Sequence, residues 1–181
     1  MPWLRKLVPD SCAGGMPGRA TDWVAHAIQL EIEMANFKKT PLAVLSIDFY
    51  KCFDTLPRDL IIEVAVEMGM DARVAKTLMT WYEGMARRFR IANVLGEQFS
   101  TDKGLIQGDA LSVVLAIIWS DTWSMMVRKE QASKLESVYI ADLAGVISRW
   151  TDCKELIRLT NNFALVWQVE NQLGKVNVGG Q

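Results

Sequence analysis

The chain has 181 residues, of which 50% are hydrophobic and 23% are charged, and its formal net charge is -1 at pH 7. This length allows one good core and leaves no room for a second module, so we expect one domain or part of one. The charge excludes the basic excess of a free-standing nucleic-acid binder, so any polyanion must be held locally. Three cysteines without paired spacing and one histidine argue against a zinc site.

No apolar run typical of a signal peptide follows Met1. The apolar stretch from Leu111 to Trp119 is too short and too interrupted to span a bilayer. We therefore expect a soluble, intracellular protein with no membrane partner. The sequence leaves its oligomeric state open.

The first predicted elements are a loop, a helix and a strand. Gly and Pro residues predict a loop from Ser11 to Gly18. Thr21 or Asp22 is the expected cap of the helix that follows, whose inward side is formed by Val24, Ile28 and Ile32. An apolar strand then runs from Leu42 to Asp48.

Two helices and a hairpin are predicted next. The first helix begins at Pro57 and ends at Gly69, and the second is capped by Asp71 and ends at Gly84. A hairpin follows, with strands over 88–94 and 98–102 and a turn at Gly96.

The remaining pattern predicts a core helix, a second hairpin and a last helix. Apolar residues recur at helical spacing at Leu111, Val114, Leu115, Ile118 and Trp119. Short strands over 138–140 and 144–147 flank an acid-bearing turn, residues 151–167 form a helix, and the tail from 169 to 181 holds one edge strand. The order predicts an α+β domain, an antiparallel sheet with helices packed on one face.

Asp48 is the most informative residue of this pattern. It stands at the end of an apolar strand, between Ile47 and Phe49, where an unpaired carboxylate is costly. A cation is therefore its natural partner.

Four blocks of the sequence together resemble a known family. They are Pro17 to Thr21, Ile47-Asp48 to Phe53-Asp54, Gly104 to Ser112, and Tyr139-Ile140-Ala141-Asp142. In this order and spacing they resemble the palm of a reverse transcriptase, an RNA-directed DNA polymerase, of the type encoded by non-LTR retrotransposons and group II introns. The resemblance implies a partial fingers segment over 1–40, a palm domain over 41–181, and no thumb.

The resemblance also implies a site for two magnesium ions. Asp48, aided by the Phe49 backbone carbonyl, and Asp142 would be the catalytic carboxylates that bind Mg²⁺. One ion would activate the primer 3'-hydroxyl and the other would hold the incoming triphosphate, which is suited to an in-line displacement. The implied partners are an RNA template, a DNA primer and a deoxynucleoside triphosphate.

Four further residues would bind substrate by this resemblance. Phe53 would exclude the 2'-hydroxyl of a nucleotide and so favour deoxynucleotides. A purely structural role for Phe53 in the core is an alternative of equal weight. Gln107 and Gly108 would approach the nucleotide or template, the alternative being an ordinary glycine turn before a helix. Lys175 resembles a late-palm lysine near the triphosphate, with a spacing from Asn171 that is one residue longer than in the family.

The second hairpin departs from the family pattern of an aromatic residue, a variable residue and two adjacent acids. If Tyr139 is the aromatic residue, Ala141 replaces the first acid and activity is severely impaired; we favour this register. In the alternative register, Asp142 is the first acid and Leu143 replaces the second. This register predicts a smaller loss of activity.

The expected function is therefore RNA-directed DNA synthesis, impaired by the loss of one hairpin acid. The alternative is a non-catalytic retroelement remnant that keeps the palm fold and at most binds RNA or a partner. A third interpretation is an unrelated α+β domain in which Asp48 and Asp142 are cap residues far apart.

Overall fold

The structure, a computed structural model, describes residues 8, 10, 12–133, 135–140, 142–173 and 177–179, with only the backbone for 171–173 and 177–179. In chain order, its elements are α1 (Thr21–Lys38), β1 (Leu42–Tyr50), α2 (Cys52–Thr55), α3 (Arg58–Glu67), α4 (Ala72–Glu83), β2 (Arg87–Ile91), β3 (Val94–Phe99), α5 (Ala110–Lys129), β4 (Leu135–Tyr139), β5 (Asp142–Ile147), α6 (Trp150–Val166), β6 (Glu170–Leu173) and β7 (Asn177–Gly179).

Strand β1 is the centre of the main antiparallel sheet. It pairs with β5 on one side, β4 lies beyond β5, and both β6 and β7 pair with β1. Leu45, Ile47 and Phe49 are buried on one face of β1, whereas the residues between them are exposed. This alternation is that of a sheet with one packed face and one open face. The predicted α+β fold is confirmed.

Helices α5 and α6 cover the packed face of the sheet. The Phe49 ring lies 4.9 Å from the Trp119 ring of α5 and 6.1 Å from the Phe163 ring of α6, edge-on in both cases. Such edge-to-face contacts stabilise aromatic clusters beyond the area that they bury. The strand that carries Asp48 is therefore held rigidly by the core beneath it.

Helix α5 extends well beyond the apolar stretch that the sequence pattern indicated. It has 20 residues and is buried on nearly every side over the run from Leu115 to Asp121. By length and composition alone it could cross a membrane, but 61% of its apolar window is buried inside the protein. The core helix of a soluble protein has the same length and apolar composition.

Several local predictions differ from the structure, and β1 ends at Tyr50 rather than at Asp48. The residue before α1 is Ala20, which makes no side-chain cap, so the predicted cap at Thr21 or Asp22 is wrong; both residues lie in the first turn. The tail forms two short strands rather than one. The first hairpin turns at Ala92, whose φ of 53° suits a tight two-residue turn, and Gly96 lies inside β3.

Candidate catalytic site

Asp48 lies on the open face of β1. Its backbone neighbours Ile47 and Phe49 point into the core, so its own side chain points away from it. The Asp48 Oδ1 atom accepts a hydrogen bond of 2.8 Å from the Phe49 backbone N–H, which fixes the orientation of the carboxylate. The side chain of Phe49 is buried, so only its backbone can contribute to a site on the open face.

Asp142 lies beside Asp48 on the neighbouring strand. The antiparallel register pairs Ile47 with Leu143, and continuing it by one residue places Asp48 opposite Asp142. Burial, and then the charge of Asp48, raise the pKa of Asp142. The interpretation in which these acids are unrelated caps far apart is therefore wrong.

Cys52 lies next to the two acids at the start of α2. Burial raises the pKa of its thiol to about 12, and the charges of Asp48 and Asp142 add to this effect. A thiol with this pKa stays protonated at neutral pH, and the thiolate is the form that binds metal. The exposed groups that the Asp48 and Asp142 pair offers to a cation are carboxylate oxygens.

The second hairpin has Tyr139 paired with Asp142, and Ile140 lies in the turn that follows Tyr139. Leu143 is only 1% exposed and lies opposite Ile47 on the packed face. A carboxylate at position 143 would therefore enter the core rather than join Asp48. Ala141 lies outside the described residues.

The loop before α5 is attached to the turn that follows β1. The Gly104 N–H donates to the Leu56 carbonyl at 2.9 Å, and the Leu105 N–H donates to the Phe53 carbonyl. Gly104 has a φ of 89°, and a Cβ at this position would lie 2.6 Å from the Asp54 carbonyl oxygen. Gly104 is thus required for a close approach of two backbone segments.

Gln107 and Gly108 lie at the exposed end of this loop. Gly108 has a φ of 88°, and no atom lies within 4 Å of the position that its Cβ would occupy. Asp109 then caps α5, since its Oδ2 atom accepts from the Leu111 and Ser112 N–H groups at 3.1 and 3.0 Å. This carboxylate already occupies the helix N-terminus, a place where phosphates otherwise bind.

Phe53 is half-buried and packs against the core from the turn after Asp48. The contact agrees with its core role and leaves part of the ring accessible to a ligand. Lys175 lies outside the described residues.

Sequence reasoning missed Arg58, which fastens the same loop. Arg58 is 6% exposed, and its guanidinium donates to the carbonyls of Gly104, Thr101 and Lys103 and to the Thr101 hydroxyl. It also lies over the Tyr82 ring, 5.0 Å from the centroid. An arginine in the first turn of a helix opposes the helix dipole, and this unfavourable placement was the available signal of another role.

The two carboxylates fit a magnesium ion. Burial raises the pKa of Asp142 and the charge of Asp48 raises it further, and a divalent cation relieves such repulsion between carboxylates. The described part of the chain contains no group of three or more His, Cys, Asp or Glu side chains suited to a metal. Magnesium nevertheless commonly binds through one or two carboxylates, with substrate phosphates and water as its other ligands.

Comparison with known proteins identifies a family for nearly the whole chain. Residues 2–179 match the family described as reverse transcriptase (RNA-dependent DNA polymerase). No match was found among curated proteins.

Two telomerase structures from Candida tropicalis are similar in fold. The one in complex with a TWJ fragment of telomeric RNA has a TM-score of 0.65 at 13% identity, over 86% of this chain and 30% of that one. The apo form truncated from its C-terminal domain has a TM-score of 0.55 at 13% identity, over 87% of this chain and 36% of that one. This chain thus spans about a third of the length of these telomerase chains.

Proposed function

This chain belongs to the reverse transcriptase (RNA-dependent DNA polymerase) family, and from that premise we propose that it is the palm of such an enzyme with part of the fingers. The proposed palm begins at residue 41, directly before β1, and residues 1–40 belong to the fingers. The proposed reaction is transfer of a deoxynucleotide to a primer 3'-hydroxyl on an RNA template. A bond forms between the primer oxygen and the α-phosphorus, and pyrophosphate leaves.

The observation that carries this proposal is the pair of carboxylates on the open face of the sheet. Asp48 and Asp142 come from segments far apart in sequence and meet at one register position. They would hold magnesium, together with the Phe49 backbone carbonyl. When bound, the metal supplies Lewis-acid stabilisation of the attacking and leaving oxygens.

The neighbouring loop would form the nucleotide-binding part of the site. Its backbone is hydrogen-bonded to Phe53 and Leu56, directly after the strand that carries Asp48. Phe53 would lie under the sugar, and the exposed Gln107 and Gly108 would contact the nucleotide or template. Lys175 would approach the triphosphate from the tail.

We also propose that this polypeptide is impaired, because one acid of the second hairpin is replaced by Ala141. The burial of Leu143 supports this register, since a second acid there would not face Asp48. The loss of this acid favours a second candidate function, a non-catalytic remnant that keeps the palm fold and at most binds RNA or a partner. A non-LTR retrotransposon or group II intron origin is consistent with the sequence blocks.

Primer extension tests the proposal. The purified chain is given an RNA template, a DNA primer, deoxynucleoside triphosphates and Mg²⁺, and compared with Asp48→Asn, Ala141→Asp and the exposed-site control Asp59→Asn. We expect weak extension that Asp48→Asn abolishes, Ala141→Asp increases and Asp59→Asn leaves unchanged. Extension that survives Asp48→Asn would refute the assignment. No extension in any variant, Ala141→Asp included, would favour the remnant.

A further inference from the structure

The β2–β3 hairpin stands apart from the main sheet. Within the described part of the chain, strands β2 and β3 pair only with each other, and every residue from Arg88 to Gln98 is exposed. An isolated two-stranded hairpin is at best marginally stable, and a large exposed apolar surface commonly marks an interaction site. The hairpin is therefore the most conspicuous surface that the catalytic site does not use.

The charge of the hairpin is uncompensated. It carries Arg87, Arg88 and Arg90 against the single acid Glu97. Among the described residues, none of these three arginines forms an ion pair, whereas five arginines elsewhere do. Those five are Arg19, Arg73, Arg128, Arg149 and Arg158. Arg88 and Arg90 hydrogen-bond to neutral groups of the hairpin, the Gln98 side chain and the Ala92 carbonyl. The hairpin thus keeps positive charge that no described carboxylate pairs with, on a chain whose net charge is -1.

Arg87 has a guanidinium nitrogen atom without a hydrogen-bond acceptor among the described residues. Its Nη2 atom is buried, with no hydrogen-bond partner in the described part of the chain. Burial, and then the charge of Arg87, lower the pKa of Arg58 nearby, although Tyr82 and Asp102 act in the opposite direction. A phosphate oxygen is the acceptor that arginine matches best in charge and geometry.

The hairpin also offers an aromatic platform. The Phe89 ring stacks on the Phe99 ring with centroids 4.8 Å apart and planes 23° apart, and Phe89 remains 68% exposed. Phe89 lies between Arg88 and Arg90, where a register shift interrupts the regular alternation of side chains between the two faces of the strand. Exposed aromatic rings beside arginines are the elements that bind unpaired bases and their phosphates.

We propose that the β2–β3 hairpin is a docking site for single-stranded RNA. Arg87, Arg88 and Arg90 contact the phosphates, and Phe89 stacks on an unpaired base. Single strands are favoured over duplexes because a paired base does not expose its face to a side chain. This inference deepens the proposed polymerase function by adding a second, non-catalytic contact with the template.

The test measures binding of a fluorescently labelled single-stranded RNA of mixed sequence by anisotropy. The double variant Arg88→Gln, Arg90→Gln is compared with Arg73→Gln, Arg158→Gln, which removes the same charge from arginines already bound to carboxylates. Each variant is checked for its fold by circular dichroism. We expect the hairpin variant to weaken binding by about tenfold or more and to lower the salt dependence by roughly one to two phosphate contacts. The control should stay within about twofold of the parent chain.

A second comparison tests the stacking. Phe89→Leu is expected to weaken RNA binding by about tenfold, whereas the equally exposed Leu95→Ala is not. Equal affinities for the hairpin and control variants, stronger binding of duplex RNA, or no RNA binding at all would overturn the proposal. Equal losses for Phe89→Leu and Leu95→Ala would also overturn it, in favour of an apolar protein contact. RNA binding is measured without catalysis, so a chain that binds RNA through this hairpin but extends no primer refutes only the polymerase proposal.

Discussion

Arg58 binds the Gly104 carbonyl through its Nε atom at 2.7 Å, across 46 positions of sequence. This contact, with those to Thr101 and Lys103, joins the start of α3 to the loop that precedes α5. The loop in turn is hydrogen-bonded to the residues that follow the Asp48 strand. One buried guanidinium therefore links the two segments that form the candidate site.

The first prediction concerns this guanidinium. Arg58→Met keeps an apolar side chain of similar length but leaves buried carbonyls without a donor, which should lower the free energy of unfolding by about 1–3 kcal/mol. Urea denaturation measures the change. Faster hydrogen exchange at the Gly104 and Leu105 amides should accompany it. Arg73→Met, at an exposed arginine bound to Asp71, is the matched control. Unchanged exchange at both amides would contradict the link.

The second prediction separates two glycines with the same backbone conformation. Gly108→Ala should cost only the strain of a left-handed residue, about 1–2 kcal/mol, because no atom lies near its Cβ position. Gly104→Ala should cost about 1–3 kcal/mol more, because its Cβ would clash with the Asp54 carbonyl. Thermal or urea unfolding of the two variants measures the two losses of stability. Equal losses would mean that the loop does not approach Asp54 this closely.

The third prediction concerns magnesium and the acid pair. At a free Mg²⁺ concentration of about ten times Kd, the chain should gain about 1.4 kcal/mol, seen as a rise in Tm. Asp48→Asn and Asp142→Asn should each remove this gain, and each should stabilise the metal-free chain because the repulsion between the carboxylates is gone.

Asp59→Asn, an exposed carboxylate on α3, is the control for this measurement and should keep the full rise in Tm with Mg²⁺. A rise of the same size in Asp48→Asn and Asp142→Asn would place the bound ion elsewhere on the chain.

The fourth prediction concerns a buried carboxylate on α5. Asp121 is fully buried, with Arg128 at 3.5 Å and the Cys12 sulfur at 3.9 Å, and its Oδ2 atom has no partner in the described part of the chain. Burial raises the pKa of Asp121 to about 6, although Arg128 acts in the opposite direction.

The sign of the pH effect follows from that shift. Between about pH 4 and pH 6 the folded chain keeps a proton on Asp121 that the unfolded chain has lost, so the free energy of unfolding falls as pH rises. Relative to Asp121→Asn, the parent chain should lose about 3 kcal/mol over this range. Urea denaturation at several pH values measures the difference. Glu63→Gln, at an exposed position, should follow the parent curve, and parallel curves for Asp121→Asn and the parent would contradict the assignment.

Local patterns predicted the elements well where one physical cause dominated. The alternation in β1, the apolar face of α5 and the cap at Asp71 all depend on neighbours within a few residues. The cap of α1 was misplaced because Thr21 and Asp22 are both suitable cap residues, yet the chain enters the helix at Ala20. The hairpin turn was misplaced because Ala92 adopts a conformation for which Gly96 was the better candidate.

The sequence by itself determined that Asp48 lies near the end of an apolar strand, and that such a carboxylate requires a partner. The tertiary structure decided that Asp142 lies beside it, that Leu143 faces the core, and that Arg58 holds the neighbouring loop. The reason is the range of the interactions. Periodicity and capping act over a few residues, whereas strand register and a buried guanidinium join segments dozens of positions apart, and a slip of one residue would move every side chain to the other face.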